Sequence, residues 1–210
     1  RGGGRPAGAP AMSDAPLDLR GEALVRFHDA RLADLPRPVS GPAHFPDGVW
    51  NAIERNHRFN ARLWEEEDRP RRGDVPDAEI VANKRNIGRL NQGRNDSIEQ
   101  VDEFLAAALG PPAGPGARLH SETPGMMIDR LSILALKIRA MGAQVGREDA
   151  SGEHLAACAA RLARLEEQRE DLRRCLDALL ADCVRGTARF KVYRQFKMYN
   201  DPAYRAAPRS

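Results

Sequence analysis

The chain has 210 residues, with 33 basic and 30 acidic side chains and a formal net charge of +3. That length is enough for one domain with a real core, and cations interleaved with acids at near balance do not by themselves point to a nucleic-acid partner. Only 5% of residues are aromatic, the polar segments are rich in Arg, Glu and Ala, and no apolar run approaches the ~20 residues that span a bilayer; helices outside a membrane are therefore expected.

Residues 1–18 are rich in Gly, Pro and Ala and lack an apolar h-region, so a disordered tail is predicted rather than a secretory signal. Met12 within it is a candidate natural start. A single helical domain is expected over 19–203, with a second disordered tail at 204–210. The first helix is predicted from Gly21 to Leu32. The loop "ADLPRPVSGPAHFPDG" follows, broken by its four prolines. Asp47 is a good N-cap for a second helix reaching Asp68. Pro76 and Asp77 open a third, which runs to Leu109 and stops at "GPPAGPGA". Thr123 as N-cap and Pro124 at the first helical position start a fourth, ending at Met141–Gly142. The fifth runs from Ser151 to Val184. The segment "RGTARFKVYRQFKMYNDPAY" fits neither the helical nor the strand period. The fold class is all-α: an antiparallel bundle of about five helices, two of them long.

The fifth helix carries an unbroken 3–4 apolar seam: Leu155, Cys158, Leu162, Leu165, Arg169, Leu172, Leu176, Leu179 and Cys183. Arg169 is its one fault. The same ruler on the third helix picks out Ile80, Lys84, Ile87, Asn91, Arg94, Ile98, Val101, Leu105 and Ala108. On the second it gives Trp50, Ile53, His57, Asn60, Trp64 and Glu67. Three helices thus carry polar groups where a packed core wants Leu, and desolvating such groups is costly unless they are paired. Each has a plain structural reading: a buried Asn can fix register, and Arg169 can snorkel or pair with Glu166. A shared internal polar site would satisfy all of them together.

The weak helix formers of "NKRNIGRLNQGRND" belong to that pattern, with Asn91 and Arg94 inward and Asn83, Asn86 and Asn95 flanking. Gly88 and Gly93 allow a close approach. On the fourth helix, Asp129 and Lys137 lie beside the apolar stripe and are expected to be partly buried. Its amino end could hold an anion, although an ordinary capped helix explains it as well.

Glu54 and His57 have the i, i+3 spacing of di-iron bundles, but no second Glu-x-x-His exists, so no metal site is assigned. Cys158 and His154 make a thiol–imidazole pair without a third member, and buried cysteines as small hydrophobes are the stronger reading. The three cysteines, without a CxxC, read as reduced thiols of a cytoplasmic protein. No Walker loop, Rossmann fingerprint or GxSxG elbow is present, and no cofactor is implied. Acid–base work suits the inward groups better. His57, which titrates near neutrality when unperturbed, is the expected proton-transfer group. Asn60 and Asn91 would orient a ligand, and Arg94, Arg169 and Lys137 would bind its anionic oxygens. Asp129 would position them, and Arg89 and Asn95 flank the site. In "RFKVYRQFKMYN", cations alternate with aromatics. Docking of the aromatics on the bundle is preferred over nucleic-acid binding, and Arg194 and Lys197 could close over an anionic ligand.

The motifs "NHRFNARLWEEED", "KRNIGRLNQGRND", "HSETPGMMIDRLSILALKI" and "FKVYRQFKMYNDP" resemble the bacterial family DUF4254, from Val49 to Pro202. The Gly/Pro tail and "GPPAGPGA" lie outside the resemblance. It implies a cytoplasmic all-helical domain and brings no established reaction or catalytic residues. The occurrence of members beside genes of sugar or cell-envelope glycan metabolism implies a phosphorylated or nucleotide-linked sugar as ligand. The expected function is a pocket for an anionic small metabolite, whether or not a reaction follows. The alternatives are a homodimeric scaffold and nucleic-acid binding through the C-terminal segment.

Overall fold

A computed structural model describes residues 19–34, 38–68, 76–110, 114 and 116–194. Five helices carry the described fold: α1 (Gly21–Leu32), α2 (Gly48–Asp68), α3 (Asp77–Leu109), α4 (Pro124–Val145) and α5 (Gly152–Val184). Two short strands, β1 (Arg118–Leu119) and β2 (Ala188–Arg189), complete it. The architecture is the expected all-α bundle. The Thr123 side chain accepts from the Met126 N–H, and Ser151 does the same for His154, so α4 and α5 start where the capping residues place them. One boundary differs: α4 passes through Gly142 and ends at Gly146. A single helical Gly costs about 1 kcal/mol, too little to end a helix whose hydrogen bonds continue.

Pairings between helices set their directions. Asn83 meets Glu66 and Arg55 meets Gln100, so α2 and α3 are antiparallel. Asn56 meets Asp129 and Asn60 meets Ser132, which makes α2 and α4 parallel. Gly21 binds Asp177 and Asp29 binds Arg169, so α1 opposes α5. Helix α4 packs against all four others, and its Met127, Ile128 and Leu131 are fully buried beside Leu24, Ile53, Leu105 and Leu176.

The α5 seam is the inward face, as expected: all nine of its positions are buried or half-buried. The α3 seam holds only from Ile87 onward. Ile80 and Lys84 are exposed, while Asn83 is buried. A 3–4 ruler drifts by about 20° per heptad against a straight helix. Asn83 stands five turns of about 3.6 residues before the buried Val101 and so shares its face, whereas Ile80 has rotated off it.

The amino end of α4 holds a carboxylate of the chain itself. Asp102 on α3 accepts from Thr123 Oγ1 at 2.5 Å and from the Gly125 N–H at 2.7 Å. A Cβ on Gly125 would lie 2.6 Å from the Ile98 carbonyl oxygen, so only glycine lets α3 come this close. Strands β1 and β2 pair in parallel, Arg118 with Ala188 and Leu119 with Arg189. This pairing seats Ala188 and brings Phe190 onto the core, while Lys191, Tyr193 and Arg194 stay exposed. Two residues are too few to show a strand period in sequence.

Gly88 and Gly125 should respond to alanine in opposite directions. Gly88 faces open space, so Gly88→Ala is expected to raise stability by about 1 kcal/mol. Gly125→Ala is expected to lower it by about 1–3 kcal/mol through the backbone clash. Urea denaturation midpoints of the two variants measure both.

Candidate functional site

The inward polar groups converge on one carboxylate. Helix α2 presents Asn56, His57 and Asn60, α4 presents Asp129 and Ser132, and α3 presents Arg94. All but Arg94 are buried. Asp129 Oδ1 accepts from Asn56 Nδ2 at 2.9 Å, Asn60 Nδ2 at 2.9 Å and Arg94 Nε at 2.8 Å. Its second oxygen accepts from Arg94 Nη2, which completes a two-pronged ion pair. Asn60 Nδ2 also donates to Ser132 Oγ at 3.1 Å and approaches Asn56 Oδ1 at 3.3 Å. Ser132 Oγ lies 2.8 Å from His57 Nδ1. The structure thus brings His57, Asn60, Arg94 and Asp129 of the sequence reading together, and adds Asn56 and Ser132, which that reading did not name. Ser132 stands one turn after Asp129 on a buried face, a signal that the helical period does contain.

His57 stacks on His28 of α1, with ring centroids 5.0 Å apart and planes 26° apart. His57 Nε2 and both ring nitrogens of His28 are buried without a hydrogen-bond partner among the described residues. Burial, reinforced by the positive charge of Arg31, lowers the His57 pKa to about 4. Burial first, then His57 and Arg169, holds His28 well below its ordinary value. Both rings are neutral at pH 7. His57 therefore does not titrate near neutrality, because the charged form would have to leave water.

Of the remaining predicted residues, only Asn91 and Asn95 lie beside the cluster. Arg169 pairs with Asp29 of α1 at 2.8 and 3.0 Å, instead of with Glu166. Lys137, expected to be partly buried, is exposed about two turns beyond Asp129 on α4; its long stem reaches water without cost. Arg89 is exposed and donates to Asn86 at 3.4 Å. Asn91 and Asn95 are half-buried beside Arg94. Arg194 is exposed and pairs with Glu103 at 2.9 Å, and Lys197 lies outside the described residues. Gly93 lies against the Phe59 ring, whereas Gly88 has no close neighbour. Cys158 Sγ is 3.4 Å from His154 Nε2, and Cys175 is exposed.

Glu54 is held by a second network that the sequence did not reveal. It accepts from the His44 N–H and His44 Nδ1, both at 2.9 Å, and from Arg58. Arg58 in turn donates to the carbonyls of Gly41 and Pro42 at 2.6 and 2.7 Å. Glu54 and His57 therefore face different partners. Among the described residues, no group of three or more His, Cys, Asp or Glu side chains is placed to hold a metal ion.

A family model described as "Protein of unknown function (DUF4254)" matches residues 50–192. The chain belongs to this family. The family region contains the whole Asp129 cluster, whereas α1, with His28 and Asp29, precedes it. No curated protein and no solved structure matches the chain.

Two measurements probe the cluster. Asp129→Ala leaves Arg94 and two amides facing a void and is expected to cost about 3–5 kcal/mol in urea denaturation. Adding Arg94→Leu should cost much less than the sum of the two single variants, because the orphaned charge is gone. Additive losses would contradict the coupling. The second measurement is the pH dependence of stability. The folded pKa values of His28 and His57 lie below the unfolded value, so their contribution is complete above about pH 6.5 and is lost as pH falls, the His57 share by about pH 4. His57 alone accounts for about 3 kcal/mol of this. Asp102, pushed up to about 6 chiefly by burial, works in the opposite sense and offsets part of the loss. His28→Phe, which keeps a ring in the stack, should make the acid limb shallower; an unchanged slope would rule His28 out as a cause.

Proposed function

We propose that the protein binds an anionic small metabolite on the face of α3 between α2 and α4. The observation that supports this most is a pair of unused donors one turn apart. Arg94 commits Nε and Nη2 to Asp129, keeps 27% of its side chain exposed, and has no hydrogen bond from Nη1 to a described residue. Asn91, on the same face, is half-buried and makes no side-chain hydrogen bond to a described residue. An arginine locked by a buried carboxylate is pre-oriented, so little side-chain entropy is lost when an anion arrives. Phosphate or carboxylate oxygens suit that fork, and a phosphorylated or nucleotide-linked sugar falls within the class.

His57 is 1% exposed and neutral at pH 7. In this reading it positions Ser132 and Asn60, and proton or group transfer on the ligand is the finer part of the proposal. The free cysteines Cys158, Cys175 and Cys183 fit a reducing compartment, and we place the protein in the cytoplasm. A homodimeric scaffold is the second reading. Exposed Ile80 and Val81 in the first turns of α3 favour it, and it requires concentration-dependent sedimentation. Among the described residues, no helix is long and apolar enough to cross a membrane.

A thermal-shift panel of inorganic phosphate, hexose phosphates, nucleoside diphosphate sugars and dicarboxylates tests the first reading. A probe at about 100 times its Kd stabilises the folded state by about 2.7 kcal/mol. Such a shift is expected for at least one probe and should shrink in Asn91→Ala and in Arg94→Lys, the latter keeping the charge but losing the fork. A panel without any shift, or a shift intact in both variants, would refute the site.

A further inference from the structure

Two to three turns beyond Asp129 along α4, α4 and α5 form a groove of about 500 Å³ that the end of α2 closes. Half-buried Trp64, Ala140, Met141 and Leu165 make its apolar floor, and exposed Lys137, Arg161 and Arg164 make its rim. The remaining lining residue is Gln144, so no acid among the described residues lines the groove. Lys137 and Arg161 have no ion pair with a described residue, and Arg164 has only the exposed Glu167, at 2.9 Å.

The dimensions select the occupant. A volume of about 500 Å³ lies within the ~300–1,000 Å³ range of small-molecule sites. A stable protein partner would need about 800 Å² on each side, more than this short groove offers. An indole and a thioether provide a flat, adaptable floor for hydrocarbon, while the three rim cations attract negative charge and disfavour positive charge. The chain's own basic segment at Arg194 carries the wrong sign.

We propose that this groove binds an amphipathic anion: a single alkyl or acyl chain laid along Trp64, Met141 and Leu165, with a terminal phosphate or carboxylate among Lys137, Arg161 and Arg164. The site is separate from the Arg94 face and does not depend on it.

Dodecyl phosphate, titrated below its micellar concentration into the full chain, is the probe. Trp64 fluorescence and calorimetry are the readouts; Trp50 is buried and serves as a constant background. Saturable binding is expected, at least about tenfold tighter than that of dodecyl maltoside or dodecyltrimethylammonium. The Lys137→Glu, Arg161→Glu double variant alters exposed positions only and should weaken binding by about tenfold or more. Ala140→Trp, which fills the groove, should abolish it, and Asn91→Ala should leave it unchanged. Equal binding of the neutral and cationic analogues would overturn the proposal, as would binding indifferent to the charge reversal. Loss in Asn91→Ala with retention in the charge-reversed variant would assign the ligand to the Arg94 face. A phosphate response without a chain-length dependence would likewise remove the groove and leave the Arg94 reading standing.

Discussion

Three helices meet on the carboxylate of Asp129. Its two oxygens accept four hydrogen bonds, two from α2 and two from the Arg94 guanidinium of α3. A buried carboxylate without partners would be far too costly to desolvate, so the burial of Asp129 depends on these donors. The arrangement therefore fixes relative height as well as proximity: sliding α2 or α3 by one turn against α4 would strip the charge of its partners. Apolar faces tolerate such slips more easily, because hydrophobic burial is not directional.

The same device recurs at other junctions. Glu54 clamps α2 to the segment that precedes it through His44 and Arg58. Glu66 receives Asn83 Nδ2 at 2.7 Å and so sets the level of the long α3 against α2. Asp102 fixes α3 to the amino end of α4. All four acids are buried, and each bridges segments that hydrophobic contact alone would leave free to shift. With few aromatic residues to interlock its core, this bundle takes its register from buried carboxylates. The histidine stack is the exception: its orphaned nitrogens contribute area but no pairing, which is why it is the acid-sensitive point of the interior.

Legibility in the sequence followed the range of the interaction. Helix ends set by local chemistry, such as Thr123-Pro124 and Ser151, and the α5 seam, with one periodic pattern over its whole length, could be read directly. The α3 seam failed at its start because a fixed ruler drifts over many turns, and Asn83 was misplaced with it. That polar groups cluster inside was also readable, since His57, Asn60 and Arg94 interrupt apolar rows. Their partners were not. Asn56 reaches Asp129 across 73 residues and Arg169 reaches Asp29 across 140, and no spacing rule spans such distances. The sequence also could not tell Arg94, which shares a carboxylate with two amides, from Arg169, which has its own acid at the edge of the bundle.

Helix α4 divides the molecule into two chemically different sides. Toward α2 and α3 it offers Asp129 and Ser132, a dry polar interior whose donors are nearly all committed. Toward α5 it offers Ala140 and Met141 under Lys137, an apolar floor with uncommitted charge above it. The first side gains its order from pairing and leaves Asn91 and the edge of Arg94 as uncommitted donors among the described residues. The second has no pairing to protect and can accept an apolar chain without breaking a hydrogen bond. Trp64, one turn beyond Asn60 on α2, stands where the two sides approach each other. A ligand pressing on the Trp64 ring in the groove would bear on the helix that carries Asn56 and Asn60 to Asp129. Coupling between the two sides can therefore run through α2 as well as through α4, since both helices line the cluster and the groove.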